Sequence, residues 1–155
     1  MNHFLKKEEI ETRDHSRVYD ITSPIEKAIE ESKIKNGHIL IQPLHTTVGI
    51  YLNEGEPRLL EDLVIQLNKR APQTKGAYLH DDIDKREDDC PDDEPENGHS
   101  HIKATFYSNP SLALVLYNEK LQIGKYQRIL FAEFDGPCPR KHKNKRQYLI
   151  SIIGE

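Results

Sequence analysis

The chain has 155 residues, of which 35% are hydrophobic and 31% are charged. This length is typical of one domain and allows a core to form without disulfides, so we predict a single domain over residues 1–155. Two cysteines, Cys90 and Cys138, are too few for a disulfide framework or a four-cysteine zinc site. The N-terminal segment is charged where a signal peptide is apolar, and no run approaches the length of a membrane span. We therefore expect a cytoplasmic protein with no membrane partner.

The negative charge is concentrated in one segment. The formal net charge is -4, and ten of the 26 acidic residues lie between Asp81 and Glu96. This segment contains Pro91 and Pro95 and has no apolar period, which predicts an acidic exposed loop at about residues 81–98. The remaining surface is not strongly basic, so we do not expect a nucleic-acid partner.

The first elements are predicted to be two short strands and a helix. Residues 4–11 and 17–21 have the pattern of strands, with turn residues between them. Ser23, Pro24 and Glu26 form the pattern of a capping box, which predicts the start of a helix, and Asn36-Gly37 supplies a stop signal.

The later elements complete an α+β pattern. Residues 39–44 and 47–52 are β-branched or aliphatic runs, and residues 57–70 have the spacing of an amphipathic helix. Residues 102–107 fit a short helix or a strand, and residues 112–117, 121–134 and 148–153 fit strands. We expect an α+β fold with a mixed β-sheet and covering helices.

Four histidines at segment boundaries, His45, His80, His99 and His101, are the candidate ligands of a metal ion. Imidazole is a common metal ligand, and three such ligands would leave an open position of the catalytic type. Two histidines two residues apart, His99 and His101, point to one side on a strand but to nearly opposite sides on a helix. We interpret the other four, His3, His15, His38 and His142, as solvated or hydrogen-bonded structural residues.

Two further charged residues are candidates for catalysis. Glu54 follows a predicted strand and precedes a helix, so its carboxylate would serve as a general base or would simply favour the helix N-terminus. Arg140 follows the turn after Asp135-Gly136-Pro137, where it would hold a phosphate or carboxylate, or remain a solvated charge. The patterns of P-loop, dinucleotide-binding and α/β-hydrolase proteins are absent from the sequence.

Several motifs in a fixed order resemble the YjbQ family. They are His45-Thr46-Thr47, Asn53-Glu54, Asp62, His80, Asn97 to His101, Leu121 to Gln127, and Glu133 to Pro137 with Arg140. The resemblance covers essentially the whole chain. Tyr126 stands where the family usually has Trp, and the acidic stretch is longer than expected, so the pocket cover and the substrate are expected to differ.

The resemblance implies a single-domain YjbQ-like fold, a homotrimer, and a histidine-rich pocket near subunit contacts. It places His45, His80, His99 and His101 on the family's metal-binding positions, with a divalent ion such as zinc. Glu54, His101 and Arg140 take the catalytic positions. Secondary thiamine-phosphate synthase activity is attributed to the family, which implies a transferase that couples a thiazole phosphate to a pyrimidine pyrophosphate.

Three hypotheses follow for the function. The first is a metal-dependent enzyme acting on a phosphorylated small molecule, and the second is a metal or small-ligand binding protein without turnover. In the third, the histidines are structural, for example hydrogen-bonded at trimer contacts. Loss of turnover on replacing His99 and His101 would separate the first hypothesis from the other two.

Overall fold

A computed structural model describes residues 1–86, 90, 94–137 and 145–155. Eight strands and three α-helices follow one another along these residues, with two short 3-10 turns at Leu79–Asp81 and Ile83–Lys85. In chain order they are β1 Asn2–Glu11, β2 Arg17–Asp20, α1 Thr22–Ser32, β3 Gly37–Pro43, β4 Val48–Glu54, α2 Pro57–Arg70, α3 Gly98–Phe106, β5 Leu112–Tyr117, β6 Lys120–Leu121, β7 Gln127–Glu133 and β8 Lys145–Gly154.

The strands form two sheets, which confirms the α+β class with covering helices. One sheet has five strands in the order β1-β8-β3-β5-β6, and the other has three in the order β2-β7-β4. Every ladder between the described strands is antiparallel, in contrast to the mixed directions expected from the sequence. The reason is that the helices connect strands of different sheets. A parallel neighbour needs a crossover that returns to the same sheet.

The main core lies between the sheets and α1. It is formed by aliphatic side chains from β3, β8, α1 and β7, with the aromatic rings of Phe131 and Tyr148 in contact at 6.0 Å between centroids. A second cluster joins α2 to the other face of the three-stranded sheet through Leu67 and Leu130. Helix α2 has the predicted bounds because its apolar residues recur every three or four positions, and the Glu56 carboxylate accepts the free N–H groups of Arg58 and Leu59.

The predicted capping box at Ser23 is wrong. Helix α1 begins at Thr22, two residues before the predicted first helical residue Pro24, and the side chain of its N-cap residue Ile21 makes no capping bond. Instead the Asp20 carboxylate accepts the N–H of Thr22, at 2.8 Å. The Thr22 hydroxyl accepts the N–H of Ile129, also in the core, so the attachment to β7 decides where the helix begins. The helix ends at Ser32, and the left-handed residue after it is Lys33, so the stop predicted at Asn36-Gly37 is wrong: Gly37 already begins β3.

The long run predicted as a strand at residues 121–134 is divided into two elements. Leu121 ends the short strand β6, and β7 begins at Gln127. Between them the Gln127 side chain accepts the N–H of Gly124 at 2.6 Å, which closes a turn. This turn moves the chain from the five-stranded sheet to the three-stranded sheet.

The acidic segment lies partly against the protein. Asp84, Lys85 and Glu96 are exposed, whereas Asp81, Arg86 and Glu94 are half-buried. The Arg86 guanidinium donates to Glu94 at 3.4 Å, and Asp81 accepts the N–H of Gly98 at 2.7 Å. These contacts bring both ends of the segment to the start of α3.

Candidate functional site

Six segments of the chain meet at one end of the two sheets. In the three-stranded sheet, the last residue of β7, Glu133, pairs with Val48 and with Arg17. In the five-stranded sheet, the β1–β8 ladder brings Arg146 opposite Ile10 at the same end. The N-terminus of α3 completes the group, because Ser100 donates its hydroxyl to the carbonyl of Phe134 at 2.6 Å. Polar side chains of β7, β8 and α3 therefore converge here.

A buried ion pair between Glu133 and Arg146 lies at the centre of these segments. Both side chains are shielded from solvent, and Arg146 Nε donates to Glu133 Oε2 at 2.5 Å. The Thr12 hydroxyl donates to the same carboxylate oxygen at 3.0 Å, and the Asp135 N–H donates to the other at 2.9 Å. A buried carboxylate needs such compensation for its lost hydration. The pair thus joins β1, β7 and β8 in one geometry.

His45 contacts the same guanidinium. Its Nε2 atom lies 3.3 Å from Arg146 NH1, and its Nδ1 atom lies 3.0 Å from the Thr47 hydroxyl. The Thr47 backbone N–H donates to Nδ1 at 3.3 Å, and the guanidinium, which only donates, faces Nε2. The ring also lines a cleft of about 420 Å³, whose walls include Gln42, Val48 and Thr105.

Asn97 connects this centre to His80. Its amide nitrogen donates to Asp135 Oδ2 at 2.8 Å, and its amide oxygen lies 3.1 Å from His80 Nε2. The amide oxygen only accepts, which places a proton on His80 Nε2. Burial raises the pKa of Asp135, and the Asn97 bond opposes that rise. A continuous series of contacts therefore runs from His45 through Arg146, Glu133, Asp135 and Asn97 to His80.

His80 and His101 form a pair. Their ring centroids are 4.6 Å apart in an edge-to-face arrangement. Burial lowers the pKa of His101, and the neighbouring His80 and Arg86 lower it further. At neutral pH, His101 is therefore a neutral imidazole, which accepts protons.

The segment that contains His99 and His101 is helical, which was one of the two alternatives predicted from the sequence. His99 therefore lies on the opposite side of α3 from His101. The helix begins at Gly98, and residues two positions apart on a helix differ by about 200° in direction. His99 is 1% exposed, and its Nε2 lies 3.2 Å from His15 Nε2 and 3.1 Å from the Ser100 hydroxyl. His15 Nδ1 in turn donates to the Gly136 carbonyl at 3.2 Å. The His99 Nδ1 atom is buried without a hydrogen-bond partner.

Burial lowers the pKa of His99 to about 4, with smaller effects in the same direction from Lys103 and His15. His99 is thus neutral near pH 7. Its buried ring contacts His15, which is exposed to solvent. The sequence alone indicates that His15 is a structural residue outside the site. Its neighbours Asp14 and Ser16 indicate only a turn, so no local signal links it to His99.

Lys103 is a second residue that sequence reasoning missed. Its side chain is fully buried, and Nζ donates to Asn68 Oδ1 at 2.6 Å and lies 3.4 Å from the Ser16 hydroxyl. Burial lowers its pKa to about 8. Lys103 lies four residues after His99, a spacing that places both on one face of a helix. This four-residue spacing from His99 is the sequence signal that could have identified Lys103.

Glu54 is not brought together with the histidines within the chain. It pairs with Gln127 at the far end of β4, six residues beyond Val48, a separation of about 20 Å at the usual strand rise. Tyr126, at the position where the YjbQ pattern usually has Trp, lies near Glu54 and is exposed. The motif residues therefore fall into two groups at opposite ends of the three-stranded sheet. Arg140 and His142 lie outside the described residues.

The four predicted metal ligands are divided between three environments. His45 faces Arg146, His99 faces His15, and only His80 and His101 contact each other. Over residues 1–86, 90, 94–137 and 145–155, no three His, Cys, Asp or Glu side chains are grouped so that they could hold a metal ion. The Arg146 guanidinium beside His45 would also repel a metal cation bound there. As arranged, these residues do not fit a four-histidine metal centre.

Comparisons with known proteins agree on one family. The model of the UPF0047 protein YjbQ-like family matches residues 6–155. A UPF0047 protein of Archaeoglobus fulgidus is 36% identical over 132 residues, covering 85% of this chain and 92% of the relative. The UPF0047 protein YugU of Bacillus subtilis is 29% identical over 88% of this chain and 93% of its own length.

Solved structures share the fold over almost the whole chain. A YbjQ-like protein of unknown function from Sulfolobus solfataricus P2 has a TM-score of 0.84 at 28% identity and covers 99% of both chains. A hypothetical protein from Aeropyrum pernix K1 has a TM-score of 0.81 at 28% identity, with 98% of this chain and 99% of that chain covered. Within the described part of the chain, no helix has the length and apolar character needed to cross a membrane.

Proposed function

Because the chain belongs to the YjbQ family, we propose that it is an enzyme acting on a phosphorylated small molecule. The reaction we propose is the coupling of a thiazole phosphate to a pyrimidine pyrophosphate, as in thiamine-phosphate synthesis. In that reaction the thiazole ring nitrogen forms a new C–N bond. The C–O bond to pyrophosphate breaks, and pyrophosphate leaves with the electron pair. We also propose a cytoplasmic location.

The observation that carries the proposal is the cleft beside His45. It has a volume of about 420 Å³ and combines apolar walls at Pro43 and Val48 with polar groups at Gln42, His45 and Thr46. Such a combination is typical of small-molecule sites. The cleft also contacts Ala104 and Thr105, which lie one helical turn after His101, so that His101 belongs to the same side of α3.

The charged groups near this cleft are suited to phosphate oxygens. Arg146 is held by Glu133 so that one guanidinium nitrogen faces His45. In the proposal, His45 and His101 contact the phosphorylated groups, and Arg140 supplies a forked contact to the departing pyrophosphate. His101, a neutral imidazole within the cluster, exchanges protons with the substrate or with phosphate oxygens.

Glu54 enters the proposal through subunit assembly. We propose a homotrimer, in which Glu54 of one copy approaches the histidines of another. The position of Glu54 at the opposite end of β4 from Val48 supports this arrangement, because one chain alone separates the two groups of motif residues. Mixing inactive Glu54→Gln and His101→Ala proteins tests it. Subunit exchange would restore part of the activity if the site is shared, and would restore none if each chain is self-sufficient.

Metal or small-ligand binding without turnover is the second candidate function. The close contact of His80 and His101, at 4.6 Å between ring centroids, favours it because two imidazoles are brought together on one side of α3. Divalent ions such as zinc accept imidazole ligands. Since the four histidines do not fit one centre, no step of the proposed reaction is assigned to a metal. A metal-binding measurement on His80→Ala and His101→Ala would detect this function independently of turnover.

The test of the proposed enzyme is release of pyrophosphate from the pyrimidine pyrophosphate when the thiazole phosphate is present. We expect His101→Ala and His99→Ala to lower turnover by at least tenfold, whereas His38→Ala, exposed at the other end of β3 from the cleft, should retain it. Equal turnover in all four proteins would contradict the enzymatic role of these histidines. Under the third hypothesis the histidines are structural and hydrogen-bonded. Replacing them would then lower the stability of the protein, and the folded wild-type protein would release no pyrophosphate.

A further inference from the structure

A second cleft lies between α2 and the turn that joins β1 to β2. Its volume is about 650 Å³, and its lining includes Ser16, Arg17, Val18, Leu60 and Val64. The turn at Asp14–Arg17 separates this cleft from the histidines, because His15 contacts His99 while Asp14 and Ser16 line the cleft. This second cleft takes no part in the proposed reaction.

The buried end of this cleft is electropositive. Lys103 Nζ lies 3.4 Å from the Ser16 hydroxyl, directly behind the lining. Its other hydrogen-bond acceptor is the neutral amide of Asn68, and desolvation is the only influence on its pKa. Within the residues that the structure describes, Lys103 therefore has no carboxylate partner. Burial of a cation without one is unfavourable, so an anion placed nearby would be stabilised.

The Ser16 hydroxyl lies between the Lys103 ammonium group and the cleft. An ammonium group only donates, so the Ser16 oxygen is its acceptor and the hydroxyl hydrogen is left to donate elsewhere. Ser16 also has a φ of 55°, an uncommon conformation for a residue with a side chain. The surrounding contacts hold it there. Arg17, at the rim, forms an ion pair with Asp14 that remains half-exposed.

The remaining walls are apolar apart from Glu61, whose carboxylate also lines the cleft. Val18, Leu60 and Val64 continue to Ile65, whose side chain is 47% exposed. Asn68 lies one helical turn after Val64, so the apolar wall leads along α2 to the polar end at Lys103. The cleft therefore has a buried cation behind Ser16 at one end and a mainly apolar body with one carboxylate, Glu61, within one cavity of the size usual for small ligands.

From this arrangement we propose that the cleft binds a small molecule with a carboxylate head and an apolar body. The carboxylate accepts the Ser16 hydroxyl and faces the charge of Lys103, and the apolar part packs on Val64 and Ile65. This inference is independent of the proposed enzymatic reaction. Benzoate and benzyl alcohol are suitable probes, since they share the ring and differ in the charged head.

The experiment is a titration of the full chain followed through backbone amide NMR signals. We expect benzoate to shift the signals of Ser16, Arg17 and Val64, and to bind at least tenfold more tightly than benzyl alcohol. Lys103→Met should weaken benzoate binding by about tenfold or more, whereas Lys69→Met, which removes the same charge from the exposed surface of α2, should not.

Ser16→Ala keeps the inference testable if Lys103→Met does not fold, because it removes only the hydroxyl. It should also weaken benzoate binding. Equal binding of benzoate and benzyl alcohol would overturn the proposal, as would shifts outside the cleft or unchanged affinity in folded Lys103→Met and Ser16→Ala. Inorganic phosphate binding as tightly as benzoate would overturn the apolar part of the assignment.

Discussion

His99 and His15 share a contact of 3.2 Å between their Nε2 atoms, although one ring is buried and the other is exposed. His15 Nδ1 donates to the Gly136 carbonyl, so its Nε2 is left as an acceptor and the proton between the rings belongs to His99. The contact therefore fixes the tautomer of the buried ring, with its proton on Nε2.

Burial of the His99 ring predicts a pH dependence of stability. The pKa of His99 is about 4 in the folded chain, against an ordinary value of 6.5. Between these values the unfolded chain binds more protons, so stability should fall as the pH falls from about 6.5 towards 4. Burial of His99 would account for up to about 3 kcal/mol of this loss.

Urea unfolding at a series of pH values measures the effect. In His99→Phe the dependence over this range should be smaller, whereas His38→Ala should keep the wild-type slope. A slope that is identical in wild type and His99→Phe would show that the buried imidazole is not responsible.

The Glu133–Arg146 pair predicts a large loss of stability when one partner is removed. Glu133→Ala leaves a buried guanidinium without its carboxylate and should cost about 3–5 kcal/mol. The matched control is Lys145→Ala, which removes the exposed ion pair with Glu9 at 3.0 Å and should cost less than about 1 kcal/mol. Denaturant unfolding of both variants gives the comparison, and similar losses in the two would contradict the burial argument.

Gly98 is predicted to be intolerant of a side chain. A Cβ atom there would lie 2.6 Å from Tyr78 Cβ and 3.0 Å from Asp81 Oδ1, so Gly98→Ala must displace the segment that caps α3. We expect a loss of about 1–3 kcal/mol in the free energy of unfolding. In Gly98→Ala/Tyr78→Gly the loss should be less than the sum of the two single changes, because the second substitution removes the Cβ atom at residue 78 and with it the clash. Additive losses would show that the clash is relieved in another way.

The sequence was most informative where a local pattern decides the structure. The apolar spacing of α2 and the cap at its N-terminus are local, and its bounds agree with the prediction. The start of α1 depends on bonds from Thr22 to Asp20 and Ile129, the second of which is distant in sequence. Local capping chemistry at Ser23 contained no information about that attachment.

The same limit applies to the candidate site. His80 and His101 were both chosen from the sequence and are in contact, but the separation of His99 follows from the helical start of α3 at Gly98. The contact of His15 with His99 spans 84 residues and has no local signature. The ion pair of Glu133 with Arg146 likewise depends on how β7 and β8 approach each other. Such relationships arise from tertiary packing, which periodicity alone does not contain.

A titration with pyrophosphate, followed through the imidazole NMR signals of the full chain, tests the proposed phosphate site most directly. We expect the signals of His45 and His101 to shift together and saturate, while those of His3 and His38 on the five-stranded sheet remain unchanged. Arg146→Met should weaken this response if the variant is folded. Shifts confined to His3 and His38, or no saturable shift at His45 and His101, would contradict a phosphate-binding site at this end of the fold.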